Sequence, residues 1–309
     1  MKKTIRIGTR GSKLALWQSN WVRTELMRRH PDIDVELVRI RTTGDKILDV
    51  PLARVGGKGL FVKEIEEALL DGRVDLAVHS MKDVPTVFPD GLHLRAVTER
   101  EDPRDALVCR AGRRLSELPP GATVGTSSLR RKAQLLACRG DLEVRELRGN
   151  IDTRLRKAAD GVYDAVVLAG AGLRRMGWGE RITEYLDVEV SLPAIGQGAL
   201  GIETAVDNDY INDLTAFFDH ADTSRAVRAE RAFLARLEGG CQVPIAAYGE
   251  VKGERLRLRG LVASVDGSTV VRDSVEGPAC DAESLGTTLA ERLLSRGADR
   301  ILEELYGPA

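Results

Sequence analysis

Apolar residues recur along this chain with two alternating periods. Thr4-Ile5-Arg6-Ile7-Gly8 reads as a strand. From Ser12 onward, Leu14, Leu16, Trp17, Trp21, Val22 and Leu26 fall at helical spacing, with Ser12 placed to open the helix. Val35 to Ile40 alternates as a second strand, Phe61 to Leu70 predicts a helix, and Val74 to Val78 predicts a buried strand ending at a Ser80–Asp83 turn. Strands and helices in alternation predict a mostly parallel α/β sheet. Gly56-Gly57-Lys58-Gly59 predicts a flexible loop.

The same grammar then recurs. Ile7-Gly8-Thr9-Arg10-Gly11-Ser12 resembles Val124-Gly125-Thr126-Ser127-Ser128, each after a strand and before a helix. Asp71–Val78 resembles Asp160–Val167. The shared order suggests two similar α/β domains facing across a cleft. Glu99–Arg104 predicts one crossing between them. Ser191–Glu203, with Pro193, Gly196, Gly198 and Gly201, predicts the return. From about Ala221 a helix leads to a loop at Cys241. Three strand-like runs follow, with hairpin signals at Lys252-Gly253-Glu254 and Asp266-Gly267-Ser268. A helix from Ala282 to Leu305 closes the chain. The expected organisation is residues 1–99 with 199–217, then 104–192, then a small α+β domain, 221–309, with a three-stranded antiparallel sheet.

Composition narrows the function. The 309 residues are 43% hydrophobic and 30% charged, as in an ordinary globular protein. Net charge is −1 despite 46 Lys and Arg, and aromatics are only 4%, which argues against a nucleic-acid partner. No apolar run is long enough to span a bilayer, and Met1-Lys2-Lys3 does not begin a signal peptide. Cys109, Cys138, Cys241 and Cys280 show neither metal nor disulfide spacing, so the expectation is free thiols in a reducing cytoplasm and no metal. No coiled coil or edge-pairing segment asks for a dimer, so a monomer is expected.

The chemistry concentrates in three places. Gly239-Gly240-Cys241-Gln242-Val243-Pro244 strips side chains from the approach to a thiol and keeps the segment from continuing as a helix. No His or Asp spacing around Cys241 indicates a repeating nucleophile, which favours a single covalent attachment. Asp83 follows a buried strand beside Ser80 and Lys82, where ligands of open α/β sheets bind. It can hold a cation or move a proton, or simply form a turn before Val84-Pro85. His79 reads as a core-edge residue. Arg130 and Arg131 follow Thr126-Ser127-Ser128 into a helix, Arg148 precedes Gly149-Asn150, and Arg154 starts the next helical run. Arg10 and Ser12 offer the matching set in the first half. Guanidiniums at helix N-termini suit carboxylates, although each arginine alone could be a solvated charge. Together these residues suggest chemistry on a polycarboxylate.

The segments Ile7–Gln18, Gly56–Glu64, Ala77–Pro85, Gly125–Arg131, Leu147–Asn150, Leu192–Gly198 and Leu237–Pro244 resemble the porphobilinogen deaminase (hydroxymethylbilane synthase) family over essentially the whole chain. Arg54 departs from the Lys expected in many relatives. The resemblance implies two periplasmic-binding-protein-like doubly wound α/β domains plus the small third domain. It implies a transferase that joins four porphobilinogens head to tail, releases ammonia, and hydrolyses off 1-hydroxymethylbilane. Growth starts on a dipyrromethane cofactor held by a thioether to Cys241, with Asp83 as catalytic acid. Arg10, Ser12, Lys82, Thr126, Ser128, Arg130, Arg131, Arg148, Arg154 and Arg175 match positions that bind cofactor or substrate carboxylates. Gln18, Lys58, Phe61, Ser80 and Gln197 match other cleft or loop positions. A non-catalytic anion sensor suits the paired helix N-termini equally, but leaves the Cys241 loop unexplained. Nucleotide binding at Gly56–Gly59 lacks the full phosphate-loop pattern.

Overall fold

Ile5 and Ile7 alternate inward on β1 (Lys3–Thr9) and are buried, so the first strand starts a two-sided core. The structure, a computed structural model, describes residues 3–46, 62–238 and 243–306. The chain divides into two compact units, one made of Met1–Arg100 and Ala199–Ser224, the other of Glu101–Gly198 and Arg225–Ala309.

In the first unit β1 lies between β2 (Ile33–Arg39) and β3 (Leu76–Ser80), parallel to both. The sheet continues through β10 (Leu200–Ala205) to β4 (Leu92–Val97), and β10 runs antiparallel to both neighbours. Helix Lys13–Arg29 sets Val22 and Leu26 on one face against Ile5, Ile7, Leu76 and Val78. Helix Lys63–Leu70 sets Ile65, Ala68 and Leu69 on the other, against Val74 and Ala77. A sheet with both faces covered takes the near-continuous apolar runs that the sequence shows. The third strand begins at Leu76, later than Val74; just before it the Asp75 amide donates to Arg6 O at 2.8 Å and the Asp75 carboxylate pairs with the Arg6 guanidinium at 2.9 Å.

The second unit repeats the plan. β6 (Thr123–Gly125) lies between β7 (Glu143–Arg145) and β8 (Ala165–Ala169), parallel to both. β5 (Asp105–Cys109) then runs antiparallel to β8 and to β9 (Glu184–Tyr185). The orders β2-β1-β3-β10-β4 and β7-β6-β8-β5-β9 correspond strand for strand. The recurring segments of the sequence occupy the second and third places of each sheet. Each fourth place holds the single antiparallel strand, and β5 and β10 both follow directly on a point where the chain passes from one unit to the other. The architecture is thus doubly wound α/β, mostly parallel.

The same unit carries a three-stranded antiparallel sheet, β11 (Ile245–Lys252), β12 (Arg255–Ala263) and β13 (Val270–Pro278). Phe233 and Leu237 from helix Ala221–Arg236 and its C-terminal end, with Leu289 and Leu293 from helix Ala282–Leu293, close its core. The expected single closing helix is interrupted. At Gly297 φ is 101°, which a right-handed helix cannot accommodate, and a helix resumes as Asp299–Tyr306.

Behind β3, His79, Glu203 of β10 and Glu66 of helix Lys63–Leu70 form a buried ionisable group. Burial, reinforced by the Glu203 charge and opposed by His79, pushes the Glu66 carboxyl up to about 7. The folded state therefore keeps a proton that the unfolded chain loses above its ordinary value of 4.5. Stability contributed by that proton is present at low pH and is lost as pH rises toward 7. The melting temperature should fall across this window, and Glu66→Gln should flatten the fall. Parallel profiles for the two proteins would show that Glu66 is not the titrating group.

At Gly286 an added Cβ would collide with the Ala229 carbonyl and stand 2.8 Å from the Ala232 Cβ, so the two helices touch through the missing side chain. Ala normally favours a helix over Gly by roughly 0.5–1 kcal/mol. Here Gly286→Ala should instead destabilise by about 2 kcal/mol, because overpacking outweighs propensity. Urea unfolding measures it, and a stabilised variant would refute the close approach.

Candidate functional site

The carboxyl ends of β1 and β3 lie side by side, since Gly8 is paired with Ala77. This brings the Arg10–Ser12 and Ser80–Asp83 turns to one edge of the first sheet. The Ser12 hydroxyl accepts from the Ala15 amide at 3.3 Å and opens helix Lys13–Arg29, as its position predicts. Gln18, buried further along that helix, donates from Nε2 to Ser80 Oγ at 2.9 Å. Met81–Asp83 forms one short turn. Its first residue, Met81, is buried, and the Met81 amide donates to Ala199 O at 3.1 Å. Lys82 and Asp83 are left half-buried, as is Arg10. An anchored methionine thus holds two charged neighbours in place at the strand end.

The equivalent edge of the second sheet is more heavily charged. Ser128 caps helix Leu129–Cys138 by accepting from the Arg131 amide at 3.4 Å, and Thr126 Oγ1 accepts from the Ser128 amide at 3.2 Å. Arg130 and Arg131 then turn inward onto Asp105. Asp105 is the first residue of β5, opposite Ala169, and is 0% exposed. Arg130 Nη1 reaches Asp105 Oδ2 at 2.8 Å, and Arg131 Nε reaches Oδ1 at 2.9 Å. Ser191 Oγ donates to Oδ2 at 2.7 Å and Gln197 Nε2 to Oδ1 at 2.9 Å. Desolvation alone would push the Asp105 carboxyl up. The two guanidiniums and these hydrogen bonds outweigh it and hold Asp105 far below the usual carboxylate range. Desolvation also pulls Arg131 down from the usual arginine range, with Asp105 opposing.

One carboxylate between two guanidiniums leaves one surplus positive charge in a buried place. The Arg130 Nε–H is also buried and has no hydrogen-bond partner among the described residues. A buried group of this kind favours a further acceptor or negative charge nearby. Asp105 and Ser191 were not singled out by sequence reasoning. An acid opening the apolar run Ala106–Cys109 was the one available signal.

Arg175 ends helix Gly170–Arg175, directly after β8, and donates from Nη2 to Gly198 O at 2.6 Å. Desolvation, opposed by Glu101, pulls it down to about 10. Arg148 is paired with Glu146 at 2.8 Å. Arg154 lies within helix Ile151–Ala159, not at its start, because Asn150 takes the cap position, and its Nε donates to Gly149 O at 2.7 Å. Glu230, fully buried, accepts from the Gly196 and Gly249 amides at 2.6 and 2.8 Å, tying the return segment to β11. It too was missed, since nothing in the helical pattern of Ala221–Arg236 distinguishes it. Cys109 is buried in β5, while Cys138 and Cys280 are exposed. Cys241, Lys58 and Phe61 lie outside the described residues.

The sequence matches the family model "porphobilinogen deaminase, dipyromethane cofactor binding domain" over residues 5–213 and "porphobilinogen deaminase, C-terminal domain" over 224–295. A porphobilinogen deaminase of Pelobacter propionicus is 62% identical over 304 residues, 98% of both chains. One of Geobacter metallireducens is also 62% identical, over 98% of this chain and 95% of its own. Among solved structures, the periplasmic aliphatic sulphonate binding protein SsuA of Escherichia coli is similar at a TM-score of 0.41 and 14% identity, over 77% of this chain and 71% of that one. Matches this extensive settle descent: the chain belongs to the porphobilinogen deaminase family.

Proposed function

We propose that this enzyme deaminates and condenses four porphobilinogens into 1-hydroxymethylbilane on a dipyrromethane primer, with Asp83 as catalytic acid and Cys241 as the covalent anchor. The buried surplus charge of Arg130, Arg131 and Asp105 carries the reading, because cofactor and product are polycarboxylates. The donor set suits such a group: the Arg131 guanidinium, with the Thr126 and Ser128 hydroxyls at the same helix start. When bound, the dipyrromethane supplies the pyrrole carbon to which the first substrate is joined.

The chain's own residues supply binding and proton handling. Arg10, Lys82, Arg148, Arg154 and Arg175 hold acetate and propionate groups as negative charge accumulates. Departure of ammonia leaves a cationic centre on the substrate. Asp83 stabilises that charge and moves protons at the pyrrole nitrogen. The Gln18–Ser80 hydrogen bond keeps the strand end beneath Asp83 from shifting, since a small displacement costs rate steeply. Gln197, Lys58 and Phe61 take the remaining cleft or loop roles that the family resemblance assigns. Of the four cysteines, Cys241 alone follows two glycines in the sequence.

The corresponding domains are 1–99 with 199–217, 104–192, and 221–309. No described helix is long and apolar enough to cross a membrane, and no described cluster of three or more His, Cys, Asp or Glu could hold a metal. We assign the enzyme to the cytoplasm, as a monomer without a nucleic-acid partner.

Asp83→Asn should retain the fold and the covalent cofactor while ammonia release from porphobilinogen drops by about 10²–10⁴-fold. A rate near that of the unaltered enzyme would remove Asp83 from the mechanism. Cys241→Ser, purified from cells that make porphobilinogen, should have the bare sequence mass. The unaltered chain should be heavier by two porphobilinogens less two ammonias, on the Cys241 peptide. An adduct persisting in the serine variant would place the attachment elsewhere.

A further inference from the structure

Strand β10 touches the Asp83-bearing segment three times. Ala199 O, just before it, accepts from the Met81 amide at 3.1 Å. A Cβ at Gly201 would lie 2.5 Å from Met81 Sδ, so Met81 is seated in the space that this glycine leaves. Two residues on, Glu203 Oε2 lies 2.8 Å from His79 Nε2, and both side chains are almost fully buried.

The third contact is the unusual one. A buried ion pair is weak evidence for stability, since desolvating both groups offsets their attraction. This pair is not even well satisfied: His79 Nε2 and both Glu203 oxygens lack a well-directed hydrogen bond among the described residues, and so does Glu66 Oε1. An apolar pair would join the two strands as firmly. What the polar contact adds is direction, because the imidazole Nε2 is held toward one carboxylate oxygen on the neighbouring strand. Glu203 faces Ala77 in the ladder and His79 faces Gly201, so the pair runs diagonally on one face of the sheet. The next residue, Ser80, points to the opposite face and receives the Gln18 bond. The end of β3 is thereby held from both sides immediately before the turn that carries Asp83.

We infer that Glu203 is a positioning residue for the condensation reaction, acting through His79 to fix the Ser80–Asp83 turn. The inference rests on Asp83 being the catalytic acid. Glu203 touches neither substrate nor cofactor in this role. Its effect falls on the geometry of Asp83 in the rate-limiting arrangement, so it should appear in kcat and not in KM.

The test uses Glu203→Gln and His79→Gln in the full-length, cofactor-loaded enzyme. Each is checked for the Cys241 adduct by intact mass and for folding by its cooperative melt. Both should load normally and lower kcat for porphobilinogen by about 10–100-fold with KM within about twofold. Glu66→Gln, which alters the same buried group from helix Lys63–Leu70 and leaves the His79–Glu203 contact in place, should leave kcat unchanged. Combined with Asp83→Asn, Glu203→Gln should produce no further loss, because its only route to the chemistry is already gone.

Unchanged kcat in a folded Glu203→Gln enzyme overturns the proposal, as does an additive loss in the double variant. An equal loss in Glu66→Gln also overturns it, in favour of a general effect of the buried charges. If Glu203→Gln does not fold, His79→Gln carries the same comparison. Failure of the underlying reading looks different: Asp83→Asn alone would then remain active.

Discussion

The carboxylate of Asp105 has no access to water, and the charged edge of the second sheet is arranged around it. Left alone there it would take up a proton. With Arg130 and Arg131 on its two oxygens it stays ionised, and Ser191 and Gln197 supply the remaining hydrogen bonds. The dependence is mutual. Removing Asp105 would leave two buried guanidiniums facing each other without an anion, a far costlier state than the triad. Partial neutralisation is the useful outcome. With no pairing the arginines could not be buried at all. One acid for two bases keeps the guanidiniums dry, oriented and still in need of negative charge.

The residues that satisfy Asp105 come from widely separated parts of the chain. Asp105 opens β5 just after the chain enters the second unit, and Gln197 also donates to Pro103 O at 2.6 Å. Ser191 and Gln197 belong to the segment by which the chain leaves that unit. Glu230 ties the same segment to β11 through Gly196 and Gly249. Entry, exit and third sheet are thus joined through two buried carboxylates, each fully occupied by donors. Apolar contacts could fill this space, but they would not fix the direction of two guanidiniums.

Much of this was legible in the sequence. The two fold repeats could be read because a βα turn needs the same small residues and the same cap each time, and Ser12 and Ser128 cap as expected. The positions of Asp83 and the arginine block at strand and helix ends could be read as well. What escaped notice depends on long-range pairing. Asp105 meets Arg130 across 25 residues and Ser191 across 86, and His79 meets Glu203 only because β10 inserts beside β3. Local periodicity carries no record of such partners. The closing helix failed for a local reason instead: Gly297 is compatible with helical spacing, and only its positive φ reveals the break.

The two sheets follow one plan, yet their active edges have opposite chemical characters. In the second, the fourth-place strand delivers Asp105 to the carboxyl edge and organises fixed positive charge. In the first, the corresponding β10 delivers no charge to that edge. It offers Ala199 O and Gly201 to the Met81 turn and keeps Glu203 two residues further inside. Antiparallel insertion explains the difference: β5 is oriented so that its first residue meets the end of β8, and β10 likewise places Leu200 opposite Ser80. The residue at that shared position is an acid in one sheet and leucine in the other. Leu200 is buried among Leu76, Val78 and Ile202, where a carboxylate would have no guanidinium among the described residues of that cluster to pair with. Leucine there leaves Asp83 as the acid at the strand end. A duplicated architecture therefore carries a buried charged cluster at one strand end and an apolar contact at the other, through the choice of one residue on the strand that arrives from elsewhere in the chain.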